Sequence, residues 1–170
     1  MQGPGAGTFR RLAAATYDGL LVLAVLMVLT ALLQVLTHGA AITRASVGAF
    51  EYVYRAALVL CVAAYFGSAW TRSGQTLGMK AWGIRLHTAA GGRPGWRDAA
   101  LRLLYASPLY LLAIAGVLLL IAHRGGWLVL LACALPLVLS FAWNGVTGAG
   151  TLHDRWSRTR VLRVPPRQDP

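Results

Sequence analysis

The residues most able to do chemistry in this sequence are a few charged side chains within or beside long apolar runs. Asp18 stands in the run 12–36, where a carboxylate costs about 2.5–3.5 kcal/mol on insertion scales unless it finds a partner or water. Burial raises the pKa of a carboxyl group and a nearby arginine lowers it, so the balance decides whether it exchanges protons. Asp18 is therefore the candidate for binding a small cation or exchanging a proton.

A structural role for Asp18 is the alternative. Arg11 precedes it by seven residues, about two helical turns, so both lie on one helix face. A buried ion pair of Asp18 with Arg11, Arg102 or another basic residue would hold the first helix against the polar part of the chain. The spacing is compatible with either role.

A second carboxylate, Asp154, directly follows His153 in the segment TLHDRWSRTRV. One interpretation is that His153 titrates near neutral pH beside it. The interpretation that we favour is structural: Asp154 caps a helix or pairs with Arg155 or Arg158. The four histidines have no metal-ligand spacing, and we find neither a nucleophile with its base nor a cofactor motif. We therefore expect no metal, no cofactor and no enzymatic activity.

The elements that must position these residues are membrane helices. The chain has 170 residues, of which 57% are hydrophobic and 12% charged, whereas soluble domains average about 25% charged. A hydrocarbon layer of about 30 Å requires roughly 20 apolar residues in a helix. Four segments meet that length and predict an all-α, polytopic bundle of four transmembrane helices in a single domain, 1–170: residues 12–36, 50–70, 103–122 and 127–146.

The distribution of basic residues predicts the orientation of the bundle. Thirteen lie before the first span, in the loop 71–102 or in the tail 147–170, and three lie in or beside the other connections. Since Lys and Arg concentrate in cytoplasmic loops, we expect a multi-pass inner (plasma) membrane protein with both termini in the cytoplasm. The thirteen are Arg10, Arg11, Arg72, Lys80, Arg85, Arg93, Arg97, Arg102, Arg155, Arg158, Arg160, Arg163 and Arg167; the three are Arg44, Arg55 and Arg124.

The net charge of +11 therefore indicates contacts with anionic lipids rather than with nucleic acid. Arg158, Arg160 and Arg163 in the tail are the candidates for lipid contact. Alternating apolar and polar residues in Ile84–Thr88 and in 159–164 predict two short strands. Their pairing would give the cytoplasmic loop a small β-hairpin or ribbon.

Three motifs together resemble the RDD family of bacterial integral membrane proteins. They are RRLAAATYDGLL, the loop GQTLGMKAWGIRL with Arg102 downstream, and LHDRWSRTRV, within about residues 9–164. The family is named for an Arg before the first span, an Asp within it and a later Asp. By position these are Arg11, Asp18 and Asp154.

The resemblance implies a transport role, because family members are often proposed to be transporters, some of them sodium/proton exchangers. Asp18 would then bind a monovalent cation or a proton, with Arg11 and Asp154 as its partners. Four helices are few for a transporter and the two halves show no repeat, so a pathway would have to form in a homo-oligomer. The rival hypothesis is a non-transporting scaffold that binds a partner or lipids through its basic cytoplasmic face.

Overall fold

Four long helices dominate the computed structural model, which describes residues 5–38, 42–148 and 150–164. All four are long and apolar enough to cross a membrane, which confirms the predicted all-α bundle. In chain order the elements are α1 (Thr8–Leu36), α2 (Arg44–Val47), α3 (Phe50–Ser73), α4 (Leu77–Ala81), β1 (Ile84–Thr88), α5 (Trp96–Ile121), α6 (Trp127–Thr147), α7 (Leu152–Trp156) and β2 (Thr159–Arg163).

Two helices begin before the apolar runs that they contain. Helix α1 starts at Thr8 rather than at residue 12, and α5 starts at Trp96, because the amphipathic segment WRDAALRLL is helical and leads directly into the third span. Both added turns carry an arginine that is buried, Arg11 and Arg102. A span predicted from hydropathy begins after such arginines, but the helix itself includes them because their side chains make tertiary contacts.

Small residues allow the long helices to approach one another. A Cβ atom at Gly116 of α5 would lie 2.7 Å from the Cβ of Cys133 on α6. A Cβ atom at Gly67 of α3 would lie 2.7 Å from the ring of Trp96, at the start of α5. Glycines at such crossings let membrane helices pack closely. Helix α1 packs mainly on the short helix α4.

Strands β1 and β2 form an antiparallel ribbon, in which Ile84 pairs with Arg163 and Thr88 with Thr159. The predicted strands and their pairing are thus confirmed, as a ribbon of distant segments rather than a hairpin. An isolated two-stranded ribbon is marginal in water. This one gains stability because Ile84, Leu86 and Val161 are buried in a core with Trp70 and other apolar residues.

The polar elements gather at one end of the bundle, which we call the basic end. It comprises α4, β1, α7, β2, the first turns of α1 and α5 and the last turns of α3 and α6. Twelve of the thirteen basic residues counted above belong to it or to its loops, and Arg167 lies outside the described residues. The ribbon core also lies here, whereas most of the α1 and α3 side chains farther out are exposed or half-buried, as expected for helices that face lipid.

Candidate functional site

A buried ion cluster forms the centre of the basic end. The carboxylate of Asp154, 1% exposed, accepts hydrogen bonds from Nη1 of Arg11 on one oxygen and from Nη1 of Arg102 on the other. The predicted partners Arg155 and Arg158 are instead exposed. The predicted capping role holds, because Asp154 also accepts the backbone N–H of Thr151 at 3.1 Å, at the start of α7.

The two arginines join this carboxylate to the surrounding elements. Arg11 donates from Nε to the carbonyl of Ala6 at 2.9 Å and from Nη2 to the carbonyl of Val161 at 3.1 Å. Arg102 donates to the hydroxyl of Thr159 at 2.7 Å, and its guanidinium lies 5.3 Å from the ring centre of Trp70. The cluster therefore connects α1, α3, α5, α7 and β2.

The charges of the cluster determine its protonation. Burial by itself would raise the pKa of Asp154, but Arg102 and Arg11 outweigh it and hold that pKa well below its usual range. For His153, burial lowers the pKa to about 4, and Arg102 adds to the effect. The interpretation that His153 titrates near neutral pH is therefore wrong. Its Nε2 lies 3.0 Å from the hydroxyl of Thr151.

Asp18 lies apart from this cluster and is 4% exposed. It accepts hydrogen bonds from the Tyr65 hydroxyl at 2.7 Å, from the Thr76 hydroxyl at 2.5 Å and from the backbone N–H of Gly78 at 2.8 Å. The ion pair considered from the sequence is wrong, since Arg11 and Arg102 both bind Asp154. Among the described residues, uncharged donors alone hydrogen-bond to Asp18.

These donors belong to the N-terminus of α4 or are oriented by it. Leu77 N–H donates to the Tyr65 hydroxyl at 3.3 Å, and Met79 N–H donates to the Thr76 hydroxyl at 3.1 Å. Each hydroxyl accepts from the backbone and donates to Asp18. The first three amides of α4 thus reach the carboxylate directly or through one hydroxyl, which is a favourable place for negative charge.

The other end of α4 is also held by α1. Arg10 donates from Nη1 to the carbonyl of Trp82 at 2.9 Å, just after the last residue of α4. Arg10 and Asp18 are eight residues apart, about 12 Å along a helix, so α4 runs antiparallel to α1 between them. A Cβ atom at Gly78 would lie 2.3 Å from the carbonyl oxygen of Ala14, which shows how closely the two backbones pack.

The sequence did not identify Tyr65, Thr76 and Gly78 as donors to Asp18, or Arg10 as the residue that holds the other end of α4. Thr76 could have been recognised from the sequence QTLGMK, because threonine is a favourable residue at the N-cap of a helix, and Thr76 is the N-cap of α4. Tyr65 lies within an apolar run and Arg10 competes with Arg11 for the same role, so neither stands out.

The position of Asp18 along α1 follows from the length of the helix. The helix has 29 residues, about 43 Å, which exceeds a hydrocarbon layer of about 30 Å. The part beyond Asp18, residues 19–36, is about 27 Å long. Asp18 therefore lies closer to the basic end of α1 than to its other end, level with the N-terminus of α4.

The exposed arginines of the basic end form a different kind of surface. Arg155, Arg158, Arg160 and Arg163 are exposed. The described carboxylates are engaged elsewhere: Asp18 and Asp154 are buried, Glu51 pairs with Arg55, and Asp98 accepts the Gly95 N–H at 2.9 Å. Within the described ranges, these four arginines form no ion pair.

Four apolar helices with a polar module at one end define a polytopic membrane protein. The model of the RDD family matches residues 5–158, which is most of the chain, so the protein belongs to the RDD family. Comparison with curated proteins and with solved structures finds no match. Of the residues at the family's named positions, Arg11 and Asp154 are in contact, whereas Asp18 belongs to the α4 site.

Proposed function

We propose that this RDD protein is a non-catalytic membrane module whose basic end binds anionic phospholipid headgroups at the cytoplasmic face of the inner membrane. One observation carries the proposal: the exposed arginines of α7, β2 and the turn between them have no carboxylate partner among the described residues, whereas the buried Arg11 and Arg102 do. Basic residues close to an anionic leaflet contribute about 1 kcal/mol each to lipid attraction.

Aromatic residues support an interfacial position for these arginines. Trp96, Trp143 and Trp156 are exposed, and all three lie at the basic end. Tryptophan is enriched at the level of the headgroups, because its ring is apolar and its N–H requires a polar partner. Arg155 stacks on Trp143, with 5.8 Å between the guanidinium and the ring centre, and so belongs to the same level.

The contacts of the buried carboxylates Asp18 and Asp154 also favour a structural role for these groups rather than a role in ion transport. Asp154 has an arginine on each oxygen, and Asp18 accepts three oriented hydrogen bonds. A cation at Asp18 would compete with donors that point their hydrogens at the same oxygens. Both groups therefore serve to hold the basic end together, and its outer surface is left for binding.

The test is the lipid preference of the reconstituted protein. Energy transfer from tryptophan to dansyl-labelled phosphatidylglycerol or phosphatidylcholine measures which lipid accumulates beside the helices. We expect the wild type to prefer phosphatidylglycerol and the triple variant R158Q/R160Q/R163Q to lose this preference several-fold. The double variant R55Q/R124Q, at the opposite end, serves as the control and should retain it. A triple variant with wild-type preference would refute the proposal.

A second candidate function is translocation of a small cation or proton through Asp18. It is favoured by the burial of this carboxylate and by the position of Tyr65, which contacts Asp18 and also lines a small apolar cavity between α1 and α3. In proteoliposomes with sodium, potassium or proton gradients, Asp18→Asn should then abolish flux while membrane insertion stays normal. Flux at the native rate in this variant would eliminate the candidate.

A further inference from the structure

A crevice runs along the outer face of α1 at the basic end, and we call it the α1–Trp82 crevice. Its α1 residues recur at spacings of three and four, so they share one helix face. At 100° per residue this face lies opposite Arg11 and Asp18. The lining residues are Phe9, Leu12, Ala13, Thr16, Tyr17, Leu20 and Trp82.

The crevice is open to the surroundings of the bundle. Phe9 is 72% exposed and Leu20 is 64% exposed, and the ring of Phe9 meets that of Trp82 edge-on at 5.6 Å. Because α1 runs from the basic end into the bilayer, Leu20 lies about 15 Å deeper along the helix than Arg10. The crevice therefore extends from the headgroup level into the hydrocarbon.

Two basic residues are neighbours of Trp82, which lines the crevice: Arg10 is its neighbour in space and Lys80 its neighbour in sequence. Arg10 donates one hydrogen bond, to Trp82, and a guanidinium has five N–H groups. Lys80 is exposed on α4, two residues before Trp82. In the described part of the chain, neither cation has an ion pair, and Asp18 faces the opposite side of α1.

We propose that the α1–Trp82 crevice binds one anionic phospholipid, with its phosphate at Arg10 and Lys80 and an acyl chain along Ala13, Tyr17 and Leu20. The arrangement matches such a molecule in charge and in polarity, since Arg10 lies at the shallow end of the crevice and apolar residues continue along α1 to Leu20. The site rests on the proposed lipid-binding function and adds a specific place to it. Binding energy would come from contact with the phosphate and from burial of the chain.

Native mass spectrometry of the full-length protein in a mild detergent tests the site, with phosphatidylglycerol or phosphatidylcholine added at rising concentration. We expect one phosphatidylglycerol to be retained with at least tenfold preference. K80Q should weaken its retention severalfold, and R10Q/K80Q should weaken it about tenfold or more. Since Arg10 also holds α4, Ala13→Trp provides an independent variant, which fills the crevice without changing a charge and should block retention.

R93Q/R97Q is the matched control, because it removes two positive charges from the same end outside the crevice. Wild-type retention in both R10Q/K80Q and A13W would overturn the crevice site, as would equal losses in R93Q/R97Q and R10Q/K80Q. Equal retention of phosphatidylcholine would also overturn it. A crevice that fails while R158Q/R160Q/R163Q still loses its lipid preference would leave the broader function standing, so the two failures are distinguishable.

Discussion

Replacing Gly78 with alanine should separate α4 from α1. The new methyl carbon would lie 2.3 Å from the carbonyl oxygen of Ala14 and 2.9 Å from Cγ of Asp18. The first of these atoms belongs to the backbone of a long helix and cannot rotate away. Restoring ordinary van der Waals separation requires α4 to move by about 1 Å, which breaks the hydrogen bond from Gly78 N–H to Asp18.

Two costs combine in this variant. Overpacking of a tight contact costs about 1–3 kcal/mol, and loss of a hydrogen bond to a charged group costs about 1.5–3 kcal/mol. Some relaxation of the short helix will reduce the sum. We therefore expect Gly78→Ala to lower the free energy of unfolding by about 3 kcal/mol.

Gly19→Ala is the matched control, because it makes the same chemical change next to Asp18 in sequence. A Cβ atom at Gly19 meets nothing within 4 Å, and alanine is favoured over glycine inside a helix by about 0.5–1 kcal/mol. This variant should be slightly more stable than the wild type.

Reversible unfolding in micelles of a mild detergent mixed with SDS, followed by circular dichroism, measures both variants. The two glycine-to-alanine substitutions should therefore change the free energy of unfolding in opposite directions. A Gly78→Ala protein as stable as the wild type would show that α4 does not pack on α1 as described.

Two further predictions concern the Asp154 cluster. Asp154→Asn should lower the free energy of unfolding by about 3–5 kcal/mol, because two arginines stay buried without a counter-charge; Asp98→Asn should lose at most a helix cap, about 0.5–2 kcal/mol. Stability should also fall as the pH drops from 6.5 to about 4, because His153 becomes protonated in the unfolded chain over this range but stays neutral in the folded protein. The variant His153→Gln should show a weaker dependence of stability on pH.

The same unfolding assay checks both predictions. Equal losses in Asp154→Asn and Asp98→Asn would contradict the buried cluster. The sign of the pH effect follows from the lowered pKa of His153. The resulting loss in the free energy of unfolding reaches on the order of 3 kcal/mol once the pH has fallen from 6.5 to about 4. Below about pH 4, protonation of Asp154 in the unfolded chain should reduce stability further, because its pKa in the folded protein is depressed. An unchanged slope in His153→Gln would contradict the assignment.

The architecture could be predicted from the sequence because it depends on the lengths of apolar segments and on the spacing of apolar residues within them. The thickness of a bilayer sets the length of a span, so predominantly apolar runs of sufficient length predicted the four long helices. Alternation with a period of two marked both strands of the ribbon, and their pairing was confirmed. The family followed from three local motifs, and its model matches residues 5–158.

The partners of the charged residues could not be read in the same way. Helical spacing placed Arg11 and Asp18 on one face, but the carboxylate that Arg11 binds is 143 positions away. The donors to Asp18 come from positions 47 to 60 residues further along the chain. Only the fold brings these groups within hydrogen-bonding distance.

The sequence by itself determined which segments enter the membrane, which end is basic and which short segments alternate, because length, charge and period are properties of consecutive residues. The tertiary structure alone decided that Asp154 rather than Asp18 receives the two arginines, and that Asp18 holds the N-terminus of α4. The physical reason is that a buried charge is stabilised by whatever donors packing brings to it, and those donors lie far away along the chain.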